Sequence, residues 1–286
     1  MVRPRLIVAT EAIASGDLTR RDLMRSYTKI HRNVYAPKGI ALTALDRAHA
    51  AWLWSERKAI LAGHSAAALL GSKWLPPDSP GELARVRRPA PQGIRVYSGE
   101  IREDEICDVG GINCTTVART AYDLGRRLPL ETGVIRIDAL LNATNVPVHQ
   151  VYSVAQRYPG ARGICRFRET LDLVDGGAES PQETRLRLLL VQSGISRPVT
   201  QIPVANPKGR KRRIDMGWPE WMVGAEYDGE HHWTNPDDHA EDIERLEFLA
   251  AKGWLIVRVS ARQLRYQRPE VVQRVRDALI RRGCPL

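Results

Sequence analysis

Between residues 180 and 228 a capped helix precedes three apolar runs set apart by two tight turns, and this order restricts the fold more than anything else in the chain. Ser180-Pro181-Gln182-Glu183 supplies a hydroxyl N-cap, a proline at the first helical position and a glutamate three residues after the cap, the pattern of a capping box. The helix predicted from it runs past Leu190 and stops at Gly194. Strands are expected over 199–204, 212–218 and 221–228, with turns at 206–209 and at Pro219-Glu220. A helix leading into an antiparallel meander is a specific order. A last amphipathic helix over 269–282, with Val272, Val275 and Leu279 inward, is expected to cover the sheet.

The acids of this stretch fall where those elements would gather them. Asp215 lies in the second strand and Glu226 near the end of the third, so pairing about Pro219-Glu220 brings them roughly opposite each other. Neighbouring carboxylates repel unless a cation compensates, and a magnesium-like ion, which prefers oxygen ligands, would do so. Asp228 stands two residues after Glu226, on the same face of a regular strand. Glu183 has a plainer role open to it as a capping residue. Lys208, Arg210, Lys211, Arg212 and Arg213 make a cationic hairpin beside these acids, suited to phosphate capture, with a solvated tip as the alternative. Asp242 and Arg245 sit about one helical turn apart, at a spacing for an ion pair or a substrate contact.

The rest of the 286 residues sets the context. A hydrophobic fraction of 43% is that of a globular chain, and the net charge of +10 suits a polyanionic partner. No apolar run reaches membrane-spanning length, and Glu11 and Asp17 interrupt the N-terminal apolar block, against a signal peptide. Cys107, Cys114, Cys165 and Cys284 are scattered, which argues against zinc and for reduced thiols in a cytoplasmic protein.

Residues 3–15 have helical spacing, Thr19 can cap a second short helix through Asp22, and 27–37 is basic and β-prone. That succession is the order of a small winged-helix unit over 1–40, with DNA binding or a structural role open to it. A helix capped by Thr43, a small-residue helix after Gly63, a basic sheet carrying Arg85, Arg87, Arg88, Arg95 and Arg102, and further helices make residues 41–174 an α+β region. Residues 175–178 form the boundary before a third region, 180–286. The fold class expected is mixed α/β.

The C-terminal layout resembles the PD-(D/E)xK nuclease superfamily, and most closely the DUF559 group related to very-short-patch-repair endonucleases. The matching pieces are E-x-x-L-R at Glu183, Leu186 and Arg187, I-D at Ile214-Asp215, and E-x-D-G-x-x-H at Glu226, Asp228, Gly229 and His232. D-x-x-R-x-x-x-L-x-x-x-G-W follows at Asp242, Arg245, Leu249, Gly253 and Trp254. Where the superfamily often has lysine, two positions after its second acid, this chain has Asp228. The resemblance implies a restriction-endonuclease-like sheet flanked by helices. It also implies Asp215 and Glu226 as ligands of Mg2+ or Mn2+, with Glu183 as a ligand through water or a supporting acid. His232, with His231 as rival, becomes the candidate general base. Asp228 would orient that base or bind a second cation, and Arg245 would contact nucleic acid. The chain start, ending in Arg32-Asn33-Val34-Tyr35-Ala36, is similar to the N-terminal domain of AbiEi-type antitoxins. The expectation is a metal-dependent endonuclease acting on DNA, with RNA as near alternative and a non-catalytic antitoxin-like repressor as the other class. A homodimer is left open, and no membrane is involved.

Overall fold

The computed structural model describes residues 6–86, 89–205, 212–229 and 236–285, with the backbone alone for 236–241. The chain is mixed α/β and divides into two compact units, Met1–Gly176 and Gly177–Leu286. Residues 1–40 and 41–174, read apart in the sequence, fall in one unit.

That first unit opens with β1 (Ile7–Val8), α1 (Ala9–Ala14), α2 (Arg20–Ser26), β2 (Tyr27–His31) and β3 (Val34–Pro37). The helical reading of residues 3–15 needs correction at its start. Ile7 and Val8 pair with Tyr35 and Val34, completing a small antiparallel sheet of order β1-β3-β2. Two β-branched side chains next to the free edge of a hairpin gain more from the sheet than from one more helical turn. Thr19 caps α2 as expected, accepting from Asp22 N while the Asp22 carboxylate accepts from Thr19 N.

The unit continues with α3 (Ala44–Trp54), β4 (Ile60–Leu61), α4 (Gly63–Leu69), β5 (Gly81–Ala84), β6 (Ile94–Tyr97), β7 (Ile106–Val109) and β8 (Ile112–Thr115). Four helices follow: α5 (Val117–Arg127), α6 (Leu130–Thr144), α7 (Val148–Arg157) and α8 (Ile164–Leu173). Its five-stranded sheet has the order β6-β5-β4-β8-β7. Gly63 stands at φ 51, where a Cβ would lie 1.9 Å from Glu82 Oε2, so glycine is required for that carboxylate to reach His64 N at 2.6 Å. Arg119 and Asp123, at i, i+4 spacing in α5, pair at 3.0 Å and belong to a buried network that also engages Glu105.

The second unit is built from α9 (Pro181–Gln192), β9 (Val199–Val204), β10 (Arg212–Trp218), β11 (Val223–Asp228), α10 (Pro236–Ala251), β12 (Leu255–Ser260), α11 (Ala261–Tyr266) and α12 (Arg268–Arg281). Its sheet has the order β12-β11-β10-β9. The first three strands form the antiparallel meander, and β12 returns after α10 to lie parallel to β11, with Glu226 opposite Arg258. Leu186 and Leu190 of α9 and Val271 and Val275 of α12 pack with Met216, Ala225, Val257 and Val259 on one face. Leu249 of α10 packs with Ile202, Ile214 and Trp254 on the other. Trp218 and Trp254 are buried, with Trp218 Nε1 donating to Ser196 O, so these rings are core rather than base-stacking surfaces. Trp233 lies outside the described residues.

Candidate active site

Ile214 and Met216 are two residues apart in β10, yet they join the apolar clusters on opposite faces of the sheet. Strict alternation would put both on one face. The alternation therefore breaks at Asp215. The pairing with β9 steps from Ile214↔Ile202 to Met216↔Thr200, and the residue between Thr200 and Ile202, Gln201, has φ 51. A non-glycine residue in that region bends a strand and re-aims its neighbours.

The irregularity gathers three acids from three elements. Asp215 Oδ2 accepts from Tyr227 N at 3.0 Å, which ties the carboxylate to β11 one residue past Glu226. Glu183 is buried at the start of α9, its amide donating to Ser180 Oγ at 3.2 Å. Its carboxylate does not close the capping box on Ser180 N. Oε2 accepts instead from Glu179 N at 2.9 Å and from Gln201 Nε2 at 3.2 Å. Gln201, which sequence reading passed over as a strand residue, thus positions Glu183; a polar side chain in the middle of 199–204 was the signal available.

Burial and mutual repulsion show in the titration of these groups. Burial, then the charges of Glu183 and Glu226, push the Asp215 carboxyl up to about 7. Burial raises Glu183 as well, and it raises Glu226 despite the Arg245 guanidinium beside it. Arg245 of α10 donates through Nη1 to Glu226 Oε2 at 3.0 Å and through Nη2 to Oε1, a bidentate clamp. The same Nη2 reaches Arg213 O at 3.3 Å, and Nη1 lies 3.7 Å from Asp242 Oδ1. Arg258 bridges Asp242 and Asp228 at 2.8 Å each, while the other Asp228 oxygen, Oδ1, is buried without a hydrogen-bond partner among the described residues.

The structure thus brings Glu183, Asp215 and Glu226 into one electrostatic cluster and links Asp228 to it through Arg258, Asp242 and Arg245. Arg245, read as a nucleic-acid contact, is engaged with Glu226. Arg213 pairs with Glu179 at 2.9 Å, and the Arg212 guanidinium lies over the Phe248 ring at 5.7 Å. His231, His232, Lys208, Arg210 and Lys211 lie outside the described residues. Among the described residues no three His, Cys, Asp or Glu side chains stand close enough to share a metal ion. The all-oxygen donor set and the excess of buried negative charge nonetheless suit a hard divalent cation. The clamp on Glu226 engages both oxygens that such an ion would use.

Fold and site together define a mixed α/β protein whose C-terminal unit carries a partly buried carboxylate cluster crossed by two arginines. No family model matches the chain, and no solved structure does. It is similar to two proteins of Mycobacterium tuberculosis, from the strains CDC 1551 / Oshkosh and H37Rv, each described only as an uncharacterized protein. Both are 29% identical over 167 residues, which cover 58% of this chain and 62% of each relative. The match thus spans less than two thirds of the length of these relatives.

Proposed function

We propose that this chain is a metal-dependent endonuclease hydrolysing phosphodiester bonds, in DNA before RNA. The observation that carries the reading is the electrostatic coupling of Glu183, Asp215 and Glu226, with burial and the two neighbouring glutamates lifting Asp215 to about 7. A partly buried acid so perturbed by its neighbours marks a functional site more often than a structural one. The sequence resemblance to PD-(D/E)xK nucleases supports the same reading. Asp215 and Glu226 would hold the cation, with Glu183 supporting through Gln201 and the Glu179 amide. Such an ion, when bound, stabilises negative charge on a phosphoryl oxygen and lowers the pKa of its water. Gln201 fixes the Glu183 carboxylate, and Tyr227 N orients that of Asp215.

One observation favours a second reading, a DNA-binding repressor without catalysis. In α2 Leu23 is buried while Arg20, Arg21 and Arg25 are exposed, the distribution of a helix that packs by one face and meets phosphate by the other. Supercoiled plasmid and labelled RNA, each incubated with Mg2+ or Mn2+, separate the readings. The nuclease cuts one of them and loses that activity in Asp215→Ala and Glu226→Ala. Tight duplex binding with no cleavage by the native chain selects the repressor.

A further inference from the structure

We infer that Arg245 is a built-in counter-cation that holds Glu226 until a divalent ion displaces it, and that the released guanidinium then serves as a phosphate contact. The inference rests on the nuclease reading and adds a coupling between metal and nucleic-acid binding at that site. Both oxygens of Glu226 accept from the two terminal nitrogens of Arg245, so an ion that binds this carboxylate competes with the guanidinium for its charge and for the lone pairs on that side. Glu226 is only 4% exposed and would be costly as an unpaired anion, so an internal cation is needed while the ion is away. The same arginine is placed to let go. It sits on α10, on the opposite face of the sheet from α9, and its side chain is 25% exposed.

Once freed, the guanidinium has few other anchors. Asp242 Oδ1 is 3.7 Å from Nη1, but Arg258 already bonds the other Asp242 oxygen at 2.8 Å. Arg213 O accepts a single neutral hydrogen bond at 3.3 Å. Neither replaces a bidentate carboxylate. A phosphate oxygen pair does, with matching fork geometry. Arg245 would then shift from internal partner to ligand contact as the ion enters, and ion and nucleic acid would each tighten binding of the other by the same factor.

Calorimetric titration of Mn2+ into the full chain and its Arg245→Met and Arg245→Lys variants tests the displacement. Fluorescence anisotropy of a labelled duplex, in EDTA and in Ca2+, tests the coupling. Removing the competitor should tighten Mn2+ binding roughly tenfold or more in Arg245→Met, the size of one charge-assisted pair. Arg245→Lys, which keeps a charge but not the fork, should fall between and guards against a methionine variant that does not fold. Ca2+ should strengthen duplex binding by the native chain several-fold more than that by Arg245→Met. If the native chain binds Mn2+ and neither variant binds it more tightly, the displacement is wrong while the nuclease reading stands. If Ca2+ strengthens duplex binding equally in native and variant chains, the phosphate role is wrong. Absence of Mn2+ binding in every folded form overturns both this inference and the reading beneath it.

Discussion

Replacing Asp215 by asparagine should stabilise the metal-free protein at alkaline pH. The native carboxyl is lifted from its ordinary 3.8 to about 7, by burial first and then by Glu183 and Glu226. An acid raised in this way binds its proton more tightly folded than unfolded, so stability is complete below about pH 4 and falls as pH climbs toward 7. At about 1.4 kcal/mol per tenfold, the interval amounts to roughly 4 kcal/mol above neutrality, an upper figure because the side chain keeps some exposure. The asparagine side chain cannot ionise, and its amide oxygen can still accept from Tyr227 N. The gap between variant and native protein should widen by about 2–3 kcal/mol between pH 5 and pH 8, read from urea unfolding in EDTA. Magnesium at pH 8 should then restore stability to the native chain and not to the variant. A gap independent of pH, or one that narrows as pH rises, would refute the claim that Asp215 is held protonated by burial and its acidic neighbours.

Two further outcomes test other parts of the molecule. Arg119→Met in the first unit removes the cation shared by Glu105 and Asp123, each 1% exposed. Asp123 keeps Arg126 at 2.8 Å and Arg127 at 3.0 Å, so the loss falls mainly on Glu105 and should cost about 1.5–3 kcal/mol in urea unfolding; a loss below about 1 kcal/mol would mean that Arg119 is not structurally required. Changing Arg20, Arg21 and Arg25 of α2 to alanine together should weaken duplex binding and lower the slope of log affinity against log salt by about one for each phosphate no longer neutralised. An unchanged slope removes α2 from the nucleic-acid interface.

Much of the second unit was legible because its signals are local. Ser180 and Pro181 fix where α9 begins, and Pro219-Glu220 fixes the turn between β10 and β11. The meander follows from those two points. The break in alternation at Asp215 was not legible, since no glycine or proline marks it, and the positive φ that accommodates it falls on Gln201. The Arg245–Glu226 clamp was out of reach for a related reason. Nineteen residues separate the partners, and their meeting depends on α10 crossing the face of the sheet that carries Ile202 and Ile214. In the first unit Ile7 and Val8 read as helix because their pairing partners, Val34 and Tyr35, lie about 27 residues further on. N-caps, which act within four residues, were read correctly at Thr19 and Thr43, while Glu183, read as closing a capping box on Ser180, was drawn away by Glu179 N and Gln201.

The energetics of the cluster also bear on which functional reading to prefer. A domain kept only as a scaffold for DNA binding has no need of an ionisable group at Asp215, where an amide would accept the same hydrogen bond without repelling Glu183 and Glu226. A second buried acid at Glu226 needs a whole arginine to hold it. Natural chains carry such locally unfavourable arrangements where the site does something with them. Glu226, Asp228 and Asp242 share two guanidiniums in direct ion pairs, whereas the hydrogen bonds to Glu183 and Asp215 among the described residues come from neutral donors and the Arg245 charge acts on Asp215 only from beyond contact. The negative charge left over is concentrated where a divalent ion would relieve it. That deficit is the physical ground for placing the catalytic reading ahead of the repressor.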